Sequence, residues 1–409
     1  MPNTLLKSTV FTVLTIASAA QGAEFRLHPS LAVMEEFTDN VFETRTDRTS
    51  DYITRVLPGL VMYYKAPVLE GDLSYLFDYR HYAKDSRGDE VSHTLSAKAK
   101  LTAVDNLLFL EAADYYQRVS LDVTRDTTTE SLFVNQSDRN IITASPYFTL
   151  RPSARIPVKA GYRYTDTRYI DSIAIDKTNH VAFLDIAYEL SKNFSLTAGY
   201  TYAREYSDID DYSQHQALGG FRYEYAEKSF FFAKAGKTWT NYSSGQRLDS
   251  LAWDAGLAHV FDTVTATVMT GVRYNEDPLS NIIKESYVSG IIEQHLNRGS
   301  ISFSPMYSEY ATTKTDALQT RKYGATVSGQ YDFSIDLKGR LGFTAEKYEQ
   351  QFSDSYTRRL QVDSGISYLL AEQLTVGLYY VYAGYYSPDP TSIDNRHVNR
   401  VMAELKKTF

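Results

Sequence analysis

The feature that most constrains this chain is a strict alternation of apolar and polar residues that recurs along most of its length. In residues 194–202 the apolar side chains occupy the even positions, and in residues 337–344 they alternate with lysine, arginine and small residues. A period of two is that of a β-strand with one apolar face, whereas a helix would scatter these side chains over all its sides. The pattern predicts a chain built almost entirely of strands.

The N-terminal segment is typical of a signal peptide. Lys7 precedes an apolar run over residues 9–20, whose length of about 12 residues suits a signal-peptide core but is too short to span a bilayer. Small residues between Ala20 and Ala23 offer a cleavage site. We expect residues 1–23 to be a signal peptide, cleaved between 20 and 23, and residues 24–409 to be the mature domain.

An exported chain with this alternation points to the outer membrane of a Gram-negative envelope. Beyond residue 23 no apolar run is long enough for a membrane helix, and in lipid the remaining way to satisfy the backbone is a closed barrel. The low mean hydropathy of −0.35 fits, because only every second residue of a barrel strand faces lipid. We expect an all-β fold: a single transmembrane antiparallel up-and-down β-barrel without a plug domain.

The connections predict the strand number and the topology. Short turns such as Ala66-Pro67 and Asp105-Asn106 alternate with longer polar links, of which residues 122–138 form the longest. Short periplasmic turns and longer outer loops are the outer-membrane pattern. We expect about 20 strands, with 18 as the alternative, and strand starts near residues 51, 69, 194 and 396, among others.

The last strand resembles an assembly signal. The chain ends on Phe409, and Val401, Ala403 and Leu405 share its face. A terminal aromatic residue on such a strand resembles the signal that the barrel-assembly machinery reads, which would make that machinery a partner. Lys407 departs from the pattern because it lies on the face that should be apolar.

If the apolar faces point to lipid, charged residues of both signs face the interior. The candidate lumen-lining residues are Asp72, Asp78, Arg80, Lys98, Lys100, Arg163, Asp185, Glu189, Arg222, Glu224, Lys338, Arg340, Arg359 and Asp363, with Glu346 beside them. In a barrel of this size they can line water. Such a wall suits a neutral or weakly charged hydrophilic solute, bound through hydrogen bonds and tyrosine faces. The alternative is that these charges only hydrate and rigidify the wall.

Several other functions find little support. The chain has no cysteine and a net charge of −8, which excludes thiolate metal sites and argues against nucleic acid as a partner. Its eight histidines lie singly and outside any catalytic motif, so we expect no enzymatic role, no cofactor and no metal. The best acid–base candidate is His81 with Asp78 and Asp85. The acidic loop 208–211 could hold Ca²⁺, but a solvated hairpin tip is the simpler interpretation.

The first strands carry a recognisable pattern. Residues 38–42 read TDNVF and residues 50–60 read SDYITRVLPGL; Tyr75, Asp78-Tyr79, Tyr82 and residues 106–111 follow. This pattern resembles the outer-membrane β-barrel family that accompanies exosortase (PEP-CTERM) and exopolysaccharide gene clusters and, more loosely, the broad class of β-barrel porins. The resemblance implies a role in moving or assembling extracellular polysaccharide, with periplasmic polysaccharide-export proteins as partners and no catalytic residues.

Two motifs within this pattern predict local structure. Asp39-Asn40 lies where the first strand should end, and Asx side chains can cap a tight turn there. Pro58-Gly59 lies inside the second strand, where a residue without an N–H predicts a bulge or a bend.

Three functions stay open at this point. The first is a conduit for hydrophilic polymer, most of all exopolysaccharide. The second is a general diffusion porin, which would usually carry an inward-folded loop, and only residues 122–138 are long enough to provide one. The third is a scaffold that contacts lipid, lipopolysaccharide and other envelope components without conducting.

Overall fold

The computed structural model describes residues 22–122, 136–170, 173–280, 282–351, 356–392 and 394–409. The expected signal peptide lies outside these residues except for its last two positions. No helix in these ranges is long and apolar enough to cross a bilayer. Every regular element in them is a β-strand of one sheet.

Twenty strands form the sheet, as the alternation predicts. They are β1 (Glu24–Thr38), β2 (Asp51–Lys65), β3 (Leu69–Tyr82), β4 (Glu90–Val104), β5 (Leu108–Ser120), β6 (Gln136–Ser153), β7 (Ile156–Tyr169), β8 (Lys177–Glu189), β9 (Phe194–Ser207), β10 (Tyr212–Ala226), β11 (Ser229–Tyr242), β12 (Arg247–Val260), β13 (Val264–Glu276), β14 (Ile282–Leu296), β15 (Gly299–Thr312), β16 (Leu318–Asp332), β17 (Leu337–Gln350), β18 (Tyr356–Ala371), β19 (Leu374–Tyr386) and β20 (Arg396–Thr408).

The sheet closes on itself. Each strand pairs antiparallel with the next, and residues 30–38 of β1 pair with residues 400–408 of β20. The predicted closed antiparallel up-and-down barrel is confirmed, and 20 strands rather than 18 is the correct number. Closure pairs the first strand with the last, whose unpaired backbone groups lipid could not otherwise satisfy.

The two ends of the barrel differ in their connections. Two-residue turns such as 227–228 and 372–373 lie at the end that holds both described chain ends, which we call the turn end. Longer connections such as residues 39–50 and 387–395 lie at the opposite, loop end. This is the division into short turns and longer loops that the sequence predicts.

Contacts between strands that are not neighbours identify the inner face of the wall. Arg139 of β6 and Lys177 of β8 both reach the Glu276 carboxylate of β13, at 3.0 and 2.8 Å, which is possible only through the interior. Because paired residues of neighbouring strands share a face, the registers carry this assignment around the barrel. The opposite face carries exposed apolar side chains such as Leu257 and Leu341, as a lipid-facing surface requires.

Asp39-Asn40 extends the closing seam beyond the last β1–β20 pair. The Asp39 carboxylate accepts hydrogen bonds from the backbone N–H and the Nδ2 of Asn399, at 2.8 and 2.7 Å. Asn40 donates from Nδ2 to the His397 carbonyl at 3.0 Å and accepts from the Thr44 N–H at 3.0 Å. Asn40 therefore caps the loop, as expected, and also ties it to the last strand.

Of the bulge or bend predicted at Pro58-Gly59, the bulge is absent. β2 keeps one register with β1 and with β3 on both sides of Pro58, and the ladder with β3 only lacks two pairs there. Pro58 faces lipid and leaves its ladder position empty because it has no N–H. Gly59 permits a close approach instead, since a Cβ at this position would lie 2.7 Å from Ser30 Oγ.

We expect deletion of Phe409 to impair assembly in cells more than folding in detergent. Its ring is exposed on the lipid-facing side, and its N–H donates to the Pro29 carbonyl at 2.8 Å, one bond in a seam that holds many. The measurement compares outer-membrane levels in cells with the yield of refolding from urea. Normal cellular levels of the truncated chain would contradict an assembly signal.

Candidate functional site

The candidate lumen-lining residues named from the sequence all occupy inner-face positions in the strand registers. Asp72 lies opposite Lys98 across β3 and β4, and Asp185 lies opposite Lys159 across β7 and β8. The other candidates follow from the same alternation. The structure joins some of these charges in ion pairs and leaves others beside aromatic rings.

A ladder of buried charges crosses β20 and β1–β3 near the loop end. Asp78 accepts hydrogen bonds from Arg55 at 2.7 Å and from Arg80 at 2.6 Å. Glu36, which is 2% exposed, lies 3.1 Å from Arg55 and 3.7 Å from Arg400. Cations and carboxylates alternate, so the ladder neutralises itself. Sequence reasoning missed Glu36, Arg55 and Arg400, although the alternation places each of them on the inner face.

A second ladder crosses β16–β18 at the same end. Lys322 lies 3.0 Å from Glu346, and Arg359 forms an ion pair with the same carboxylate. Gln361 joins this group to Asp363 by accepting from Arg359 and donating to Asp363 at 2.7 Å. Sequence reasoning named the charges of this ladder except Lys322, but not the amide that connects them.

Toward the turn end, cations of the inner wall lie over aromatic rings. The pairs, with distances from the cation to the ring centroid, are Lys98–Tyr115 at 5.8 Å, Lys100–Phe109 at 5.0 Å, Lys159–Tyr147 at 4.0 Å, Arg163–Phe183 at 5.7 Å, Arg222–Phe230 at 3.6 Å and Arg340–Tyr379 at 4.6 Å. Such contacts hold a cation against the wall without neutralising it. Three candidates form exposed ion pairs: Arg222 with Glu224 at 3.2 Å, and Lys338 with Asp332 at 3.7 Å.

The loop end is narrowed by the end of β13. Pairing between β12 and β13 stops at Asp254 and Gly271, so residues 272–276, which we call the β13 tip, have left the wall on that side. Along β13 and β14 the alternation assigns Tyr274 and Ile282 to the lipid-facing side. Both nevertheless pack against Tyr212 and Tyr242, which belong to the inner faces of β10 and β11. The β13 tip has therefore folded into the lumen.

Polar contacts hold the β13 tip across the interior. Besides its contacts with Arg139 and Lys177, Glu276 accepts from the Tyr169 hydroxyl at 2.6 Å. The Ile175 N–H donates to the Pro278 carbonyl at 2.9 Å. The tip thus reaches from β13 to β6, β7 and β8 and packs on the inner faces of β10 and β11.

The first loop also turns inward. Val41 packs on Ile53 and Tyr82 of the inner wall, and Glu43 accepts from Arg400 at 2.8 Å. Residues 123–135, within the link that the sequence indicates as the one possible constriction loop, lie outside the described residues. In the described ranges three segments turn inward: the β13 tip, residues 40–43, and residues 313–314, where Thr313 bonds to the Tyr242 hydroxyl. The length of a connection predicted none of them.

The structure does not bring His81, Asp78 and Asp85 together into an acid–base site. His81 and Asp78 lie on opposite faces of β3: Asp78 binds arginines inside, whereas His81 Nδ1 lies 2.9 Å from Asp89 Oδ1 on the outside. Asp85 is a turn residue with a positive φ of 52°.

Asp210 joins three loops at the loop end. Its carboxylate accepts from the hydroxyls of Ser243 and Ser244, each at 2.6 Å, and from Lys314 at 2.9 Å. Asp211 turns to the Ser207 N–H and to Arg204 instead. The carboxylates of the acidic loop do not converge, and the described residues hold no group of three metal-ligating side chains. Because Asp210 is 8% exposed and bonds to two neighbouring loops, this acidic loop is a contact between loops and not a solvated hairpin tip.

The role of Asp210 predicts a pH dependence. The hydrogen bonds from Lys314, and then from Ser243 and Ser244, hold the pKa of Asp210 below its ordinary value of 3.8. Its stabilising contribution is therefore complete above that value and is lost as the pH falls below it, toward the folded-state pKa. We expect Asp210→Asn to unfold at a lower temperature than the wild type at about pH 7, with the difference shrinking only in strong acid. A difference that vanishes near pH 6 would contradict this assignment.

Comparisons with known proteins support the fold. No family model and no curated protein sequence matches the chain, so the resemblance to the exosortase-associated family stays a prediction. Among solved structures, the siderophore receptor PirA from Pseudomonas aeruginosa is 11% identical, with a TM-score of 0.51 over 94% of this chain and 80% of that one. OccK2 (OpdF) and the outer membrane protein opdK, both from Pseudomonas aeruginosa, are each 8% identical over 94% of this chain and 98% of theirs, with TM-scores of 0.46 and 0.43. At these identities the likeness concerns the fold alone: the chain is a closed 20-stranded β-barrel of the outer-membrane type.

Proposed function

We propose that the protein is an outer-membrane channel whose lumen passes a hydrophilic solute, and that exopolysaccharide is the polymer it serves. The observation that carries the channel is the inner wall, where charges of both signs line a closed barrel of 20 strands. A barrel of this size is wider than its own side chains can fill. The choice of polysaccharide rests on the resemblance of the first strands.

The turn-end half of the wall supports a saccharide as cargo. Phe109 and Tyr147 stack at 5.2 Å with Lys100 and Lys159 over them, so apolar ring faces and hydrogen-bond donors alternate along β4–β7. A sugar ring presents the same combination, apolar C–H groups framed by hydroxyls. Weak, repeated contacts of this kind suit passage better than tight binding.

A general diffusion porin is the second candidate. The observation that favours it is the inward-folded β13 tip, because a constriction inside the barrel is what a size-selective porin needs. Under this alternative the inner wall has the same chemistry, but the solute is small and no polymer depends on the protein.

The decisive experiment combines conductance with polymer secretion. The purified barrel in planar bilayers should conduct with weak ion selectivity, because Lys98, Lys100 and Arg163 are offset by Asp72 and Asp185. A strain that lacks the gene should lose surface polymer and keep its uptake of small solutes. If the strain keeps its surface polymer and loses uptake of small solutes, the general porin is favoured. If the purified barrel never conducts, the non-conducting scaffold is the hypothesis that remains.

Localisation and partners belong to the same proposal. The protein should fractionate with the outer membrane and migrate differently on gels before and after heating. The barrel-assembly machinery would insert it, lipid and lipopolysaccharide would surround it, and periplasmic polysaccharide-export proteins would deliver polymer to its turn end. Recovery in the soluble periplasm would contradict this proposal.

A further inference from the structure

The β13 tip leaves an open strand edge in the barrel wall. From Arg247 to Trp253, β12 pairs with β11 on one side, but its register with β13 begins only at Asp254. Leu251, on the lipid-facing side of this edge, is 74% exposed. An unpaired strand edge at the level of lipid is costly, because hydrocarbon cannot satisfy backbone N–H and C=O groups.

The open edge reaches the hydrocarbon level. Along the lipid-facing side of β12 the residues are Leu257, Ala255, Trp253 and Leu251, and the first charge is Asp249, whose carboxylate lies 2.7 Å from Lys237. Trp253 lies where pairing ends and donates from Nε1 to Thr270 at 3.2 Å. The β12–β13 ladder therefore stops on the turn-end side of Leu251, the last apolar residue on the lipid-facing side of β12.

The sequence of the β13 tip still fits a wall strand. If the β12–β13 register continued past Asp254 and Gly271, Leu251 would face Tyr274 and Ala252 would face Arg273. Apolar Val272 and Tyr274 would then point to lipid, and Arg273 and Asn275 to the lumen. Glu276 would face Asp249, where the lipid-facing side of β12 is already charged. This is the alternation found along the rest of the barrel.

The contacts of the β13 tip support a different position. Glu276 binds Arg139, Tyr169 and Lys177 across the lumen. Tyr274 bonds to the Ser250 hydroxyl and packs in the cluster of Tyr212 and Tyr242. These contacts offset the loss of the β12 ladder, so the chain holds two competing sets of interactions for the same five residues.

We propose that the β13 tip exchanges between two positions: a tucked position, seen in the structure, and a paired position in which it completes the wall against β12. In the tucked position it covers Tyr212 and Tyr242 and narrows the loop end. In the paired position these inner-face residues line the lumen and the mouth is wider. The exchange makes the tip a gate, and this consequence rests on the proposed channel function.

Two cysteine pairs report the two positions in a chain that has no cysteine of its own. Ile175→Cys with Pro278→Cys joins residues whose backbones are hydrogen-bonded in the tucked position. Leu248→Cys with Asp277→Cys joins residues that face each other only if the β12–β13 register continues to the end of the strand. In the tucked position the β12–β13 register stops at Asp254, so residues 248 and 277 are not paired, and the Asp277 carbonyl accepts from Lys177 of β8.

Glu276→Gln should shift the exchange toward the paired position, because it removes the charge that Arg139 and Lys177 hold. In cells under mild oxidant, we expect the 248–277 disulfide to rise severalfold in this background and the 175–278 disulfide to fall. Glu293→Gln, near the turn end of the neighbouring strand β14, is the matched control and should change neither yield. Both disulfides are detected on non-reducing gels, so this test does not depend on whether the barrel conducts.

The same two disulfides, each of which locks the β13 tip in one position, test whether that position changes the conductance of the pore. Channels locked by the 248–277 disulfide should conduct more than channels locked by the 175–278 disulfide, and reduction should abolish the difference. A 248–277 disulfide that forms in neither background, while the 175–278 disulfide forms in both, would overturn the exchange. Equal conductance of the two locks would overturn the gate. If both disulfides form and no variant conducts, the exchange stands and the proposed channel function fails.

Discussion

Asp78→Ala is expected to destabilise the barrel by about 3–5 kcal/mol, the cost of removing one partner from a buried ion pair. The Asp78 side chain is 8% exposed and lies between Arg55 and Arg80, at 2.7 and 2.6 Å. Without Asp78, the buried guanidinium group of Arg55 keeps its contact with Glu36, and that of Arg80 keeps its longer contact with Glu90. Urea titration of the barrel in lipid vesicles measures the change in free energy of unfolding.

Asp72→Ala is the matched control for this prediction. Asp72 lies on the same face of β3, six residues toward the turn end, and its side chain is exposed. Its removal should change the free energy of unfolding by less than about 0.5 kcal/mol, as for other exposed positions. Similar losses for both variants would mean that the ladder is hydrated and contributes no more than an exposed charge.

Leu341→Arg is expected to cost about 2–4 kcal/mol, the effect of a cation at the lipid-facing middle of a barrel strand. The lipid-facing residues of β17 are apolar from Leu337 to Ala345 and become charged at Lys347, which places Leu341 at the centre of the band. Its side chain is 60% exposed in the absence of lipid. The measurement is again urea titration in vesicles of defined thickness.

Ser328→Arg tests the other face at the same height. Ser328 pairs with Gly342, the residue next to Leu341, and its hydroxyl bonds to Ser302 on the inner side at 2.7 Å. An arginine there can reach the lumen, so the loss should be small. If Ser328→Arg lowered the free energy of unfolding as much as Leu341→Arg, the assignment of the two faces would be wrong for this side of the barrel.

The sequence alone determined the strands and their faces. The predicted starts at residues 51, 69, 194 and 396 are those of β2, β3, β9 and β20. Such agreement is possible because the lipid-facing side of each strand must be apolar over its whole length, so the signal is local and repeats at every crossing. The candidate lumen-lining residues came from the same signal, since the position of one side chain in a strand decides the face of all the others.

The sequence was less informative where a local signal has two structural solutions. The missing N–H of Pro58 predicts a bulge or a bend. The structure accommodates it without a bulge, because the β2–β3 ladder omits two pairs there and keeps its register. Asp39-Asn40 predicts a turn, and the partner that makes it part of the closing seam, Asn399, is 360 positions away.

Only the tertiary structure decided which charges meet and where the lumen narrows. Glu36, Asp78 and Arg400 form one ladder because closure brings β20 beside β1. The β13 tip carries the alternation of a wall strand, yet it lies inside, because Glu276 finds two cations and a tyrosine hydroxyl on strands five to seven places away. A pattern along one strand encodes the face that a residue prefers. It does not encode the competing partners that a closed barrel brings within reach across its interior.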